Sequence, residues 1–333
     1  NKLKLKQGKN MLETKEKDVV LIFTTKEKTH ITDALKSQLL ELNKDLLIIL
    51  FDVDELYTRV LPDFLTSQFK IQLNISRIEQ SKKTKKIESN IDKLGQYDLA
   101  FKNNISYKRM ENIFLRYNPK AVILTGIDGL EEATSVKNKL QSNVKIFLYD
   151  TELLFNKQLL NPFVDKLIVA NDISATRLSE DNIDLTKVLT AGIAYPKSYE
   201  KPMLRAKANK TLGIVDKKKT LLFVFDDNES GAKMDALISV LSNHKDKYNI
   251  LIWSNNNEEI SKVALLNGYK VYNQKNIDFN ILLSAANVLI TRPDSYFFTI
   301  AFKAKKLCVS LGSSRNLKKA IIEQYKNTIG YIA

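Results

Sequence analysis

The sequence predicts an α/β protein with two domains, each built on a parallel β-sheet that helices cover on its faces. Short apolar runs alternate with amphipathic helical stretches along most of the chain, which is the order typical of parallel sheets. The 333 residues suffice for two separate cores. Near the middle, residues 197–209 include a proline and lack apolar periodicity, as interdomain linkers do. We expect a basic leader at 1–18, an N-terminal domain at 19–196, this linker, and a C-terminal domain at 210–333.

The N-terminal half contains apolar runs of strand length that suit burial on both faces of a sheet. The predicted strands are 19–23, 46–51, 121–124, 144–148 and 164–170. Between them, apolar residues recur at a spacing of three and four residues, which indicates helices. The predicted helices are 30–42, 107–117, 130–140 and 174–178. Residues 57–104 are the least regular part of this half, and 188–192 leads to the crossover into the second domain.

The C-terminal half repeats this alternation and contains the stretch that organises the chain. The predicted strands are 221–225, 249–253, 268–272, 288–290 and 307–311, and the predicted helices are 210–213, 234–241 and 258–266. Residues 280–304 form a short helix, a buried strand, a break at Pro293 and a second apolar helix. In open α/β sheets, ligands lie beyond the carboxyl ends of the strands, where helix N-termini attract anions. This turn is therefore predicted to line a ligand site.

The charge of the chain favours an anionic partner or surface. Its net charge is +14 and its pI is near 9.4, although a composition rich in Lys and Asn is also typical of AT-rich genomes. Nucleic acid fits poorly because Tyr and Phe fall mostly in apolar elements and are not interleaved with Arg. An anionic membrane leaflet fits better. The predicted membrane-contact residues, next to an amphipathic pattern, are Lys82, Lys83, Lys85 and Lys86, with a solvated surface helix as the alternative.

Other features of the composition narrow the location and the chemistry. A single Cys excludes an internal disulfide, and two His exclude most zinc sites. No apolar run reaches the roughly 18 residues that a membrane-spanning helix needs, and the Lys-rich N-terminus lacks the apolar centre of a signal peptide. We expect a cytoplasmic protein, peripheral on the inner face of the cell membrane.

Residues 280–304, together with the crossover at 192–196, resemble one family. A helix that ends in Ala286-Asn287, an apolar strand, and the turn that begins Thr291-Arg292-Pro293 are similar to the same succession in GT-B glycosyltransferases of the diacylglycerol glycosyltransferase type. These in turn are similar to the lipid II-forming N-acetylglucosaminyltransferase. The resemblance implies two Rossmann-like domains with parallel sheets facing a cleft. It also implies transfer of a sugar from a UDP-sugar to a membrane lipid of the diacylglycerol type, with no metal or other cofactor.

The resemblance also assigns roles to residues. His30 and Asp150 would serve the acceptor hydroxyl as catalytic residues; an imidazole titrates near neutral pH, and the alternative for His30 is a helix-start residue with no role. Arg292 would neutralise phosphate charge. The full set of predicted donor-binding residues is Thr291, Arg292, Ser295, Thr299, Asn228, Ser230 and Gly231.

Several substitutions in the family's motifs favour a second hypothesis, a non-catalytic descendant that acts as a binding or partner protein. Asp294 and Ser295 stand where the family has two glycines, and Ile300 stands where it has the Glu that binds ribose. An isoleucine cannot accept hydrogen bonds from ribose. The loop 226–231 carries three carboxylates where a diphosphate would lie, and like charges repel there.

A third hypothesis rests on the Asp-x-Asp that follows the second predicted strand. Asp52 and Asp54 resemble the nucleophile loop of haloacid dehalogenase-like phosphatases, or the metal-binding Asp-x-Asp of the other large glycosyltransferase fold. The alternative is a pair of solvated carboxylates at a strand end. A phosphatase built on these residues with Asp226 and Asp227 would depend on magnesium.

Overall fold

The computed structural model describes residues 17–57, 99–100, 102–152, 155, 160–179, 183–214, 217–225, 236–237, 240–241, 244, 246–255, 257–292 and 296–310. Within these residues the chain forms two separate sheets, and every strand pair in both sheets is parallel. The predicted class, two α/β domains each with a parallel sheet, is confirmed.

The N-terminal sheet has six strands in the order β2-β1-β3-β4-β5-β6. The strands are β1 Val19–Thr24, β2 Leu47–Asp52, β3 Ala121–Leu124, β4 Lys145–Tyr149, β5 Lys166–Val169 and β6 Val188–Thr190. The helices between them are α1 Thr29–Leu42, α2 Asp54–Tyr57, α3 Ile105–Tyr117, α4 Leu130–Lys139 and α5 Asp172–Ser179. β1 lies between β2 and β3, so the chain leaves it toward one edge and later returns on its other side.

The C-terminal sheet has five strands in the order β11-β10-β7-β8-β9. The strands are β7 Lys219–Phe225, β8 Tyr248–Ser254, β9 Val271–Tyr272, β10 Val288–Thr291 and β11 Leu307–Ser310. The helices are α6 Arg205–Leu212, α7 Glu258–Leu266, α8 Phe279–Ala285 and α9 Tyr296–Lys303. The predicted stretch at 280–304 is therefore confirmed as helix, strand and helix, and the predicted break at Pro293 lies outside the described residues.

The apolar core joins the two halves. One cluster of buried side chains includes Ile22 and Ile31 from the N-terminal domain and Leu289 and Phe298 from the C-terminal domain. Two further clusters each belong to one domain. Because one cluster crosses from domain to domain, apolar burial helps to hold the two domains together.

Differences from the predicted elements are small. The short helix α2 was not predicted, since four residues carry too little periodicity to indicate a helix. α6 begins at Arg205, inside the segment predicted as linker, and a 3₁₀ turn at Lys197–Glu200 precedes it. The domain boundaries themselves stay a prediction. In the part of the chain described above, no helix is both long and apolar enough to cross a membrane.

Candidate functional site

The carboxyl ends of β1, β3 and β4 bring together a lysine, a threonine and two acidic residues. Lys28 follows β1, and its Nζ donates a hydrogen bond of 2.9 Å to the carbonyl oxygen of Thr125, which follows β3. The same Nζ lies 3.4 Å from the carboxylate of Glu152, beyond β4. Because parallel strands end at the same edge of a sheet, residues far apart in sequence meet here. We call Lys28, Thr125, Asp150 and Glu152 the N-terminal crevice.

Asp150 is the buried member of this crevice. It is 2% exposed, and its Oδ1 accepts a hydrogen bond of 3.1 Å from the backbone N–H of Glu152. Its Oδ2 meets no hydrogen-bonding partner among the residues that the structure describes. Burial, and then the nearby charge of Glu152, raise the pKa of Asp150 to about 7, while Lys28 and two backbone N–H groups oppose this rise. The carboxyl group can therefore hold or release a proton near neutral pH.

The neighbour of Asp150 fixes the end of β4 against the crossover. The hydroxyl of Tyr149 donates to the carbonyl oxygen of Gly192 at 3.0 Å and accepts from the N–H of Ala194 at 2.6 Å. Burial raises the pKa of Tyr149 to about 12, so the phenol stays neutral and keeps both bonds. The backbone on which Asp150 stands is thus held by the segment that leads into the second domain.

His30 lies at the boundary between the domains. It belongs to the first turn of α1, two residues after Lys28, and is half-buried. Its ring centroid is 4.2 Å from that of Tyr296 and 6.0 Å from that of Phe297, the first two residues of α9. The predicted catalytic histidine therefore packs against aromatic rings of the C-terminal domain.

An aromatic cluster continues from this contact into the C-terminal domain. Phe297 lies 4.7 Å from Phe279 and 6.3 Å from Trp253, measured between ring centroids, and Trp253 lies 5.0 Å from Phe279. The pKa of Tyr296 is raised, chiefly by burial and also by the nearby tyrosines Tyr199, Tyr149 and Tyr195. Its hydroxyl has no hydrogen-bond partner within the described ranges. We call His30, Tyr296, Phe297, Phe279 and Trp253 the aromatic cluster.

The predicted donor-binding residues are only partly described. Thr291 is 1% exposed, and its hydroxyl donates to the carbonyl oxygen of Val224 at 3.2 Å, which ties β10 to β7. Arg292, directly after β10, and Thr299, in α9, are half-buried. Ile300 is fully buried and packs in the core. Ser295, Asn228, Ser230 and Gly231 lie outside the described residues, as do the predicted membrane-contact residues Lys82, Lys83, Lys85 and Lys86. Their roles stay predictions.

The carboxylates of the phosphatase hypothesis already have structural contacts. Asp52 accepts a hydrogen bond of 3.0 Å from the N–H of Asp54 and lies 3.7 Å from Nζ of Lys26. Asp52 is the last residue of the edge strand β2 and Asp54 lies just beyond it, whereas ligands favour the junction of β1 and β3. Asp226 and Asp227 lie outside the described ranges. Nothing in the described geometry favours a phosphatase, and those ranges contain no group of three or more potential metal ligands.

A groove of about 380 Å³ lies between α1 and the crossover to the second domain. The side chains of α1 line one wall, beginning with His30, and the crossover residues 195–198 line the other. The amide of Gln38 donates to the carbonyl oxygen of Tyr195 at 3.0 Å, and Lys197 pairs with Glu41. These contacts hold α1 against the connection between the domains.

The sequence did not single out Lys28, Glu152, Tyr149 or Tyr296. The signal for Lys28 and Glu152 was their position, because both follow predicted strands whose carboxyl ends share an edge. Lys28 also stands in the loop where the resembling family has glycines. Tyr296 gave no signal, since a tyrosine in an apolar helix is usually a core residue.

Two α/β domains with parallel sheets that face each other across a cleft form the GT-B fold, as predicted. No protein-family model and no curated protein matches the sequence.

The solved structures that this chain resembles include epimerases and glycosyltransferases. MnaA of S. aureus, solved with UDP, has a TM-score of 0.57 at 14% identity, over 94% of this chain and 88% of that chain. A putative UDP-N-acetylglucosamine 2-epimerase from Listeria monocytogenes has a TM-score of 0.54 at 13% identity, over 92% and 82%. A glycosyltransferase from Rickettsia africae ESF-5 has a TM-score of 0.50 at 14% identity, over 95% and 84%. At such identities the likeness concerns the fold, and the narrower resemblance to diacylglycerol glycosyltransferases stays a prediction.

Proposed function

We propose that this chain binds a UDP-sugar in the cleft between its domains and transfers the sugar to a hydroxyl group. In this reaction the bond from the sugar to UDP breaks, a bond to the acceptor oxygen forms, and the hydroxyl proton passes to a base. The observation that carries the proposal is the buried carboxyl group of Asp150. One of its oxygens has no hydrogen-bond partner among the described residues, and its pKa is about 7. The fold also supports the proposal, because the solved structures that the chain resembles include a complex with UDP and a glycosyltransferase.

The roles of the two predicted catalytic residues differ in this proposal. Asp150 accepts the proton, because its pKa makes it an effective base at neutral pH. His30 follows Lys28 by two residues, and its ring packs against Tyr296. In this proposal it helps to position the acceptor and does not take the proton. No metal takes part in the proposed step, so transfer should persist after chelation of divalent cations.

The proposed acceptor is a membrane lipid with a free hydroxyl, of the diacylglycerol type. Its support is the resemblance of residues 280–304 and the net charge of +14, which suits an anionic membrane surface. The protein would then act at the inner face of the cell membrane. We do not propose nucleic acid as a partner on the basis of this positive charge.

The first test is a calorimetric titration of the full chain with UDP, UDP-glucose, UDP-galactose and UDP-N-acetylglucosamine, with and without magnesium. Micromolar binding supports the proposal. It is followed by a transfer assay with radiolabelled sugar and diacylglycerol in anionic vesicles. Absence of binding at millimolar nucleotide contradicts the proposal.

The matched variants for the transfer assay are Asp150→Asn and Asp52→Asn. Loss of a general base typically costs about 10²- to 10⁴-fold in rate, so Asp150→Asn should lose activity by that factor. Asp52 ends the edge strand β2, and its replacement should leave the rate within about twofold. Because Asp150 must be ionised to accept a proton, the rate should fall as the pH drops below about 7.

The second candidate is a non-catalytic GT-B protein. Its specific support comes from two observations on the predicted donor side. The ring of Tyr296 packs against His30, and position 300 carries a buried isoleucine in place of a carboxylate. Nothing in the comparisons favours this candidate. A Tyr296→Ala variant that gains nucleotide binding when the parent has none would support it, because the ring would then be the obstacle.

A further inference from the structure

Lys28 is fixed over the junction of β1 and β3. The segments that follow these strands leave in different directions, and such a junction opens a crevice beyond the carboxyl ends. The bond from Lys28 to the carbonyl oxygen of Thr125 spans that junction, and the ion pair with Glu152 reaches one strand further. The Lys28 side chain is 24% exposed. Its ammonium is therefore held from two sides and still reaches solvent.

The crevice combines a hydrogen-bond donor, the ammonium of Lys28, with an acceptor, Oδ2 of Asp150, that has no partner among the described residues. An ammonium has three N–H donors; Lys28 donates one to the carbonyl oxygen of Thr125, and its charge is paired with Glu152 at 3.4 Å. Asp150 is linked to this pair through Glu152, because the backbone N–H of Glu152 donates to Oδ1 of Asp150 at 3.1 Å and the carboxylate of Glu152 lies 3.4 Å from Nζ of Lys28. The buried Oδ2 of Asp150 has no partner within the described ranges, and an unsatisfied buried acceptor is costly to a folded protein. A bound group that donates to Asp150 and accepts from Lys28 would satisfy both.

We propose that Lys28 is a binding residue of the N-terminal crevice, which together with Asp150 holds one hydroxyl group of an uncharged polyol. The Lys28 ammonium donates to the hydroxyl oxygen, and the Asp150 carboxyl accepts the hydroxyl hydrogen. A hydroxyl suits the pair because it is both donor and acceptor. Identifying this hydroxyl with the acceptor of sugar transfer rests on the proposed function, whereas the binding itself does not.

The charges around the crevice select against an anionic ligand. Glu152 offsets the charge of Lys28, and any ionised fraction of Asp150 makes the crevice negative. Lys26, in the same turn as Lys28, is paired with Asp52 at 3.7 Å. A phosphate placed beside two carboxylates would meet like charges, and each such pair is strongly unfavourable at about 4 Å. The expected ligand therefore ends in a neutral hydroxyl and not in a phosphorylated group.

The test is saturation-transfer NMR on the full chain, with glycerol and glycerol 3-phosphate as probes at neutral pH. We expect saturation transfer to glycerol and little to glycerol 3-phosphate. Lys28→Met should weaken glycerol binding by about tenfold or more, since it removes a charged donor, and Asp150→Asn should weaken it too, since a neutral amide oxygen is a poorer acceptor than a carboxylate. Lys26→Met is the matched control, because it removes a lysine from the same turn and should leave binding unchanged. Lys28→Arg should restore part of the binding.

A second readout separates binding from a purely structural role of Lys28. Lys28 opposes the rise of the Asp150 pKa, so Lys28→Met should move the titration of Asp150 to higher pH, and Lys26→Met should not. Equal binding of the two probes, or full binding by a folded Lys28→Met variant, would overturn the proposal. Because no nucleotide is present, these outcomes are independent of the titration with UDP-sugars. Glycerol binding without UDP-sugar binding would sustain this inference and contradict the proposed transfer.

Discussion

A carboxyl group at the end of a buried strand loses its hydration, and Asp150 shows the consequence for a single residue. Water no longer stabilises the charged form, so the pKa rises until neighbouring donors offset the loss. Lys28 and two backbone N–H groups provide part of that compensation. The residue therefore carries an energetic penalty when ionised, as side chains at functional sites often do.

The first prediction concerns the stability of the Asp150→Asn variant as a function of pH. The pKa of Asp150 is about 7 in the folded chain and 3.8 in the unfolded chain, so the folded state binds the proton more tightly. The stability that this proton provides is complete below pH 3.8 and is lost as the pH rises through about 7. Asparagine does not titrate. Relative to the parent, the free energy of unfolding of the variant should therefore increase between acid and pH 8, by up to about 4 kcal/mol.

Denaturant unfolding at several pH values measures this difference. The matched variant is Asp52→Asn, in which a half-buried carboxylate paired with Lys26 is replaced. It shows how the loss of a less buried carboxylate affects the free energy of unfolding. A difference between parent and Asp150→Asn that does not change with pH would show that Asp150 titrates normally.

The position of Asp150 could be predicted from the sequence, and its environment could not. A polar residue directly after an apolar run lies at a strand's carboxyl end whatever the fold's details. Lys28, which opposes the rise of the Asp150 pKa, is held by a hydrogen bond from its side chain to the carbonyl oxygen of Thr125, 97 residues further along the chain. No local pattern encodes that contact. The same holds for His30, whose contact with Tyr296 depends on how the domains pack.

At the scale of elements, the strands were predicted well because burial on both faces leaves continuous apolar runs. β3 and α7 have the bounds that periodicity indicates, and other ends differ by a few residues. Elements that depend on contacts were missed. The short helix α2 is held from outside, where Arg109 donates to the carbonyl oxygen of Glu55 at 2.7 Å. Four residues cannot form a stable helix alone.

The second prediction concerns Gly129, the N-cap residue just before α4, which has a φ of 79°. Only glycine adopts this left-handed conformation without cost, and a Cβ here would lie 3.2 Å from side-chain atoms of both Leu56 and Val53. Its N–H also donates to the Tyr57 hydroxyl at 2.9 Å, so a shift of the backbone would strain that bond. Gly129→Ala should lower the free energy of unfolding by about 1–3 kcal/mol, measured by denaturant titration.

Gly126 provides the control for that substitution. It lies in the same loop, and a Cβ built there meets no atom within 4 Å. Gly126→Ala should be neutral or slightly stabilising, by up to about 1 kcal/mol, because alanine restricts the unfolded chain. Equal destabilisation by the two substitutions would show that the loop, and not the φ of Gly129, is responsible.

At the scale of the whole molecule, one apolar cluster belongs to both domains. Interfaces between domains of one chain are usually more polar than a core. Here the cluster that contains Ile22 also contains Leu289 and Phe298. The alternation of strands and helices predicted two domains, but it could not predict that they share buried side chains, since that follows from the faces they present to each other.

The third prediction is that the two domains unfold in one transition. The single Trp of the chain, Trp253, is 3% exposed and lies in the aromatic cluster, so its fluorescence reports on the boundary, while far-ultraviolet circular dichroism reports on both sheets. The two signals should change together in the parent protein, as two-state unfolding requires. Tyr296→Ala removes a ring that contacts His30 across the boundary, so fluorescence should then change at a lower denaturant concentration than circular dichroism. Tyr296→Phe keeps the ring and removes only the hydroxyl, and its two signals should stay coincident. Separate transitions in the parent, or coincident ones in Tyr296→Ala, would mean that the aromatic cluster does not couple the domains.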